Sequence, residues 1–262
     1  AARAGIPCTV LMPDDTPEVN VLEAAWNGAR VFKVNGLIHE CGAIVRQASQ
    51  RFGWFDVSTL KEPYRLEGKK TMGLELAEQL DWQLPDVIVY PTGGGTGLLG
   101  MDKAFDELEA LGWLPSGKRP RFLACQSAGC APIVQAFDSG ARFATPVLDA
   151  RTAASGLRVP MAVGDFMILD AVRRSGGAAM AASEDRWATW MRRACSLEGL
   201  SLCPETGVCL AVLERAVNDG LVQPDERVVV FNTGAAQKYI EVMREELPRI
   251  DKDAVDWDGL GA

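Results

Sequence analysis

The sequence predicts an α/β protein of open parallel sheets with helices on both faces, arranged in two lobes of which the first is incomplete. The leading observation is alternation. The apolar runs Cys8–Met12, Arg30–Val34, Val87–Tyr90, Phe122–Cys125 and Val228–Phe231 are separated by amphipathic stretches, a spacing that joins parallel strands through crossover helices. Composition agrees: 262 residues, 48% hydrophobic and 24% charged, suffice for a substantial core. The third observation is an aperiodic, polar tract from Asp56 to Lys70, which reads as a crossing between lobes. Residues 1–56 are therefore expected to be a remnant of a small α/β lobe and residues 57–262 a larger one.

Each element has its own signal. Ala1 to Ala4 followed by Gly5 reads as the last turn of a helix with its glycine cap; that helix has no beginning in view, so the natural N-terminus is expected upstream. After the first strand, Thr16-Pro17 starts a helix through Leu22 and Trp26 that ends at Gly28. Arg30–Val34 is the second strand, and a helix from about His39 to Phe52 is closed by Gly53. Beyond the polar tract, helices are expected at Thr71–Leu80, Leu98–Leu111, after Pro132, Asp165–Arg174, Glu184–Leu197, Thr206–Asn218 and near Ala236–Leu247. No internal repeat interrupts the series.

Charge and cysteine usage exclude several classes. A net charge of −8 with interspersed signs gives no footprint for nucleic acid or acidic membrane. No apolar run approaches the roughly 18 residues of a membrane span, and the first residues lack a signal-peptide core. The seven cysteines are odd in number and form no CxxC pair, and His39 is the only histidine. A reducing cytoplasm is the simplest fit, and no metal site is expected.

The strongest chemical signal is Tyr90-Pro91-Thr92-Gly93-Gly94-Gly95-Thr96-Gly97-Leu98, four glycines between an apolar strand and an amphipathic helix. Without Cβ atoms, successive N–H groups can converge on one anion, and the following helix adds its unpaired N-terminal donors and dipole. A phosphate site is the reading. The run lacks the Gly-Lys-Ser/Thr ending of a Walker loop, and its glycine spacing departs from the dinucleotide fingerprint. A plain strand-to-helix turn is the alternative.

Four stretches in order, Tyr64-Arg65-Leu66-Glu67-Gly68-Lys69-Lys70-Thr71, Pro91 to Leu98, Ala154-Ser155-Gly156-Leu157-Arg158-Val159-Pro160 and Phe231-Asn232-Thr233-Gly234, resemble the threonine synthases along nearly the whole chain. The resemblance implies a tryptophan-synthase-β-like, fold-type II enzyme dependent on pyridoxal 5'-phosphate. Its glycine-rich loop, here Gly93, Gly94, Gly95, Thr96 and Gly97, would hold the cofactor phosphate. It implies that Thr233 faces the pyridine nitrogen with a neutral hydroxyl; a turn into the last helix is the other reading of Thr233-Gly234. The family's catalytic lysine, and the loop that grips the substrate carboxylate, would lie before Ala1, leaving this chain inactive by itself. The implied reaction converts O-phosphohomoserine and water to threonine and phosphate. Serine/threonine dehydratases, diaminopropionate ammonia-lyases and a non-catalytic phosphate-ligand-binding homologue are the alternatives, and family members often dimerise, so a homodimer is considered.

Three further residues are candidates near cofactor or substrate. Glu205, in Cys203-Pro204-Glu205-Thr206-Gly207, is either the acidic residue that the family keeps near the cofactor or a first-turn carboxylate facing the helix dipole. Ser155 and Arg158 either border the substrate or, for Arg158, carry a solvated surface charge. Lys69 and Lys70 read as surface lysines, and Gln126-Ser127-Ala128-Gly129-Cys130 lacks the GxSxG spacing of a nucleophile turn.

Overall fold

The computed structural model describes residues 1–115 and 117–260. Near the start, β1 (Thr9–Pro13) and β2 (Arg30–Val34) form a two-stranded parallel sheet with Thr9 opposite Arg30. Two helices, α1 (Glu18–Trp26) and α2 (Ile38–Phe52), accompany it. Chemistry at the ends of α2 explains its bounds: the Glu40 carboxylate accepts from the Leu37 N–H at 2.7 Å, and Gly53 closes the helix in the left-handed region at φ 68°. Ala2–Ala4 form a single 3-10 turn capped by Gly5.

The rest of the chain supplies α3 (Tyr64–Gln79), β3 (Val87–Pro91), α4 (Thr96–Ala110), β4 (Arg121–Ser127), α5 (Pro132–Asp138), α6 (Asp165–Arg174), β5 (Ala178–Ala182), α7 (Glu184–Glu198), α8 (Pro204–Asn218), β6 (Val228–Val230) and a short α9 (Trp257–Leu260). The strands form one parallel sheet in the order β5-β4-β3-β6. Side chains alternate across it with the period of two that a pleated strand imposes. Ile88, Tyr90, Phe122 and Ala124 join a core with Leu98, Phe105, Ile133, Ile168 and Leu169 on one face. Val87, Val89, Leu123 and Cys125 join Trp187, Met191, Val208 and Val212 on the other. Both faces are thus covered, which is why these strands read as continuous apolar runs.

Three expectations need correction. Helix α3 starts at Tyr64, inside the tract read as aperiodic. Glu62 accepts from the N–H groups of Tyr64 and Arg65, Lys70 bridges Glu67 and Glu107 at 2.7 Å each, and the α3 backbone at Lys69 packs against Gly100 of α4. Tertiary contact holds a helix whose own pattern is weak. Strand β5 was not expected, because Ala178-Ala179-Met180-Ala181-Ala182 has the propensity of a helix; pairing with β4 overrides it. The helix expected near Ala236–Leu247 is reduced to a 3-10 turn, Ala236–Lys238, after which Tyr239 leaves the helical region at φ −129°, ψ 48°.

Candidate functional site

Strands β3, β4 and β5 advance in one direction across the large sheet, while β6 returns to pair with the other side of β3. The carboxyl ends of β3 and β6 therefore flank a topological switch point, where α/β sheets gather ligands. The glycine run leaves β3 at this place, and Thr233 follows β6.

From Gly93 to Leu98, six successive backbone N–H groups have no acceptor among the described residues; the first helical bond back to the loop is Leu99 N–H to Gly95 C=O at 3.0 Å. Five of the six residues are buried. Buried amide donors nearly always find a partner, so the row has the donors to receive an anion. Geometry requires its glycines. Gly95 stands at φ 75°, where an L side chain is strained, and a Cβ there would drive into Ile168 of α6. A Cβ on Gly93 would sit 2.5 Å from the Gly156 carbonyl oxygen. The Thr59 methyl closes the side of Gly94, and the Thr59 hydroxyl accepts from the Arg65 guanidinium at 3.1 Å.

The turn Ser155–Leu157 forms the opposite wall. Glu205, at the second position of α8, is 4% exposed and accepts from the Gly156 N–H at 2.8 Å through Oε1, whereas its Oε2 is buried without a hydrogen-bond partner. Burial, and then the nearby Glu205 charge, push the Tyr239 phenol far above its usual range; the same two causes raise the Cys203 thiol. Thr233 is exposed, its hydroxyl 3.8 Å from the Cys203 sulfur. Beneath the cradle, burial pushes the Tyr90 phenol up to about 12.

Of the residues singled out from sequence, Gly93–Gly97, Ser155, Glu205 and Thr233 come together around this opening. Arg158 does not remain a solvated charge: its side chain is 16% exposed and pairs with Asp15 just beyond β1, joining the two sheets' surroundings. That hydrogen bond holds the Asp15 carboxyl below its usual value. Glu205 does lie in the first turn of α8, and its Oε1 also accepts from the Gly156 N–H. Lys70 is held between two carboxylates. Sequence reasoning did not single out Tyr239, Thr59 or Arg65, which lie beside these residues from segments read as a helix or a polar crossing; Arg65 falls in the Tyr64–Thr71 stretch, and no local signal marks the other two. Among the described residues no group of three His, Cys, Asp or Glu converges to hold a metal, and no helix is long and apolar enough to cross a membrane.

Comparison with known proteins adds a family and a fold. Residues 1–234 match the family model described as pyridoxal-phosphate dependent enzyme. The chain is 34% identical over 234 residues to a threonine synthase of Methanosarcina acetivorans, covering 89% of this chain and 57% of that protein. It is 30% identical over 239 residues to a threonine synthase of Methanocaldococcus jannaschii, covering 91% and 58%. The chain thus spans less than three fifths of the length of these relatives. Among solved structures, an L-serine ammonia-lyase from Rhizomucor miehei is similar with a TM-score of 0.75 at 19% identity, covering 92% of this chain and 76% of that one. Maize serine racemase follows with a TM-score of 0.73 at 18% identity, covering 93% and 71%. At such identities these structures speak for the fold.

Proposed function

The chain belongs to the family of pyridoxal-phosphate-dependent enzymes, and from that membership we propose that it is the larger part of a threonine synthase, with Gly93 to Leu98 holding the cofactor phosphate. The row of six partnerless N–H groups carries the reading. A phosphate dianion satisfies several of them at once and gains from the α4 dipole, by up to about 2 kcal/mol in a partly buried setting. Glycine at 93, 94, 95 and 97 leaves no side chain between these donors and the ligand.

Bound there, the cofactor supplies an electron sink for charge that develops on an amino-acid substrate. The protein's own groups then have defined tasks. Thr233 would offer the ring nitrogen a neutral hydroxyl, which would not require that nitrogen to stay protonated, a setting suited to elimination and replacement at the side chain. Glu205 fixes the Ser155–Leu157 turn, so the wall facing Gly93 keeps its place. The substrate reading is O-phosphohomoserine, which loses phosphate from its γ carbon and takes up water at the β carbon to give threonine; the two archaeal threonine synthases favour it.

The test is phosphate release from O-phosphohomoserine by a folded, cofactor-loaded protein of the relatives' full length. Release with threonine formation supports the proposal. Ammonia and keto acid from serine, threonine or diaminopropionate, without phosphate release, would assign the site to a dehydratase or ammonia-lyase instead. Saturable cofactor binding with no turnover of any of these would leave a phosphate-ligand-binding protein.

A further inference from the structure

Gln126, within β4, is completely buried, and both ends of its amide are used. Its Oε1 accepts from the N–H groups of Ile133 and Val134 at 2.9 and 3.2 Å, two of the unpaired donors at the start of α5. With Oε1 so committed, the amide has one orientation: a flipped NH2 would face two donors. Its Nε2 donates to the Thr92 carbonyl at 3.0 Å. The Thr92 N–H in turn donates to the Cys125 carbonyl at 2.8 Å. Thr92 is therefore held on both sides by β4.

The consequence follows from peptide geometry. In a planar trans peptide the C=O of one residue and the N–H of the next point in opposite directions. Anchoring the Thr92 carbonyl on Gln126 directs the Gly93 N–H away from β4, and that N–H is the first of the partnerless row. We propose that Gln126 is a positioning residue of the phosphate cradle, locking the Thr92–Gly93 peptide so that the first donor faces the anion before it arrives. This rests on the reading of Gly93–Leu98 as the phosphate site.

The test compares pyridoxal 5'-phosphate with pyridoxal, which lacks the phosphate, on the wild-type chain and on Gln126→Met. The methionine has a similar volume but cannot donate to Thr92, whereas a glutamate buried there would be protonated and would donate in place of the amide. We expect the preference for the phosphorylated form to fall about tenfold or more, with pyridoxal affinity changed less than about twofold. A folded Gln126→Met that keeps the wild-type preference overturns the inference. A purely structural role would weaken both ligands together and would also overturn it. Gln126→Leu is read in the same way if the methionine variant does not fold. A measurement on the unaltered chain covers failure of both: titration with inorganic phosphate must shift the Gln126 side-chain amide resonance together with the Gly93 N–H, and an unmoved side-chain resonance rejects the coupling. A wild-type chain without preference for the phosphorylated form would instead reject the phosphate site itself.

Discussion

Replacing Gly93 by alanine puts a methyl group 2.5 Å from the Gly156 carbonyl oxygen and 3.0 Å from Val159 Cγ2. Val159 has a side chain that can yield, but the carbonyl belongs to a turn whose N–H is tied to buried Glu205 at 2.8 Å. Carbon and oxygen rest comfortably at about 3.3 Å, so the loop or the turn must retreat by roughly 0.8 Å. Overpacking of this kind costs about 1–3 kcal/mol, which lowers the melting temperature by roughly 2–12 °C for a domain of this size. The same retreat misplaces the Gly93 N–H. Loss of one hydrogen bond to a charged ligand, about 1.5–3 kcal/mol, weakens pyridoxal phosphate binding by about 10- to 100-fold. Fluorescence titration with the cofactor and a thermal melt read both effects. An alanine variant with wild-type affinity and wild-type melting would refute the claim that Gly93 is pressed between turn and ligand.

Other substitutions test other parts of the site. Glu205→Ala removes the acceptor of the Gly156 N–H and should cost about 0.5–1.5 kcal/mol in urea unfolding, most of it recovered by Glu205→Gln; equal losses in both variants would argue against the Oε1 contact. Thr233→Val should shift the absorption band of bound cofactor while changing its affinity by less than about threefold, and an unaltered spectrum would remove Thr233 from the ring's surroundings. The Asp15–Arg158 pair makes a pH prediction. Arg158 depresses the Asp15 carboxyl below its usual 3.8, so its contribution is present above that value and is lost as pH falls through the lower folded value. Because Asp15 is 55% exposed, screening limits the effect to less than about 1 kcal/mol. Melting of wild type and Asp15→Asn should differ modestly near neutrality and converge as pH falls below the ordinary carboxylate value; a constant difference would exclude the pair as its source.

The parts of the fold legible in the sequence are those whose signal is local. Buried parallel strands such as Val87–Pro91 announce themselves because both faces are apolar, and helix ends such as Gly53 because only a left-handed residue closes them there. The glycine run was legible for a similar reason: Gly93, Gly94, Gly95 and Gly97 each occupy a place where a Cβ meets a neighbour. What stayed hidden depends on partners distant in sequence. Ala178–Ala182 becomes a strand through β4, and Tyr64–Lys70 becomes helical through Glu62 and α4. Gln126 looked like part of an abortive nucleophile turn, and its task shows only once Thr92 and α5 lie beside it. Tyr239 likewise gives up a helical pattern to sit near Glu205.

The most direct measurement is a backbone amide spectrum of the isotope-labelled chain during titration with pyridoxal 5'-phosphate. Resonances of Gly93 through Leu98 should move downfield as a set and saturate together, with the ligand's phosphorus signal broadening or shifting over the same range. If those six amides stay still while others move, the cofactor's phosphate is held elsewhere and the account is wrong at its centre.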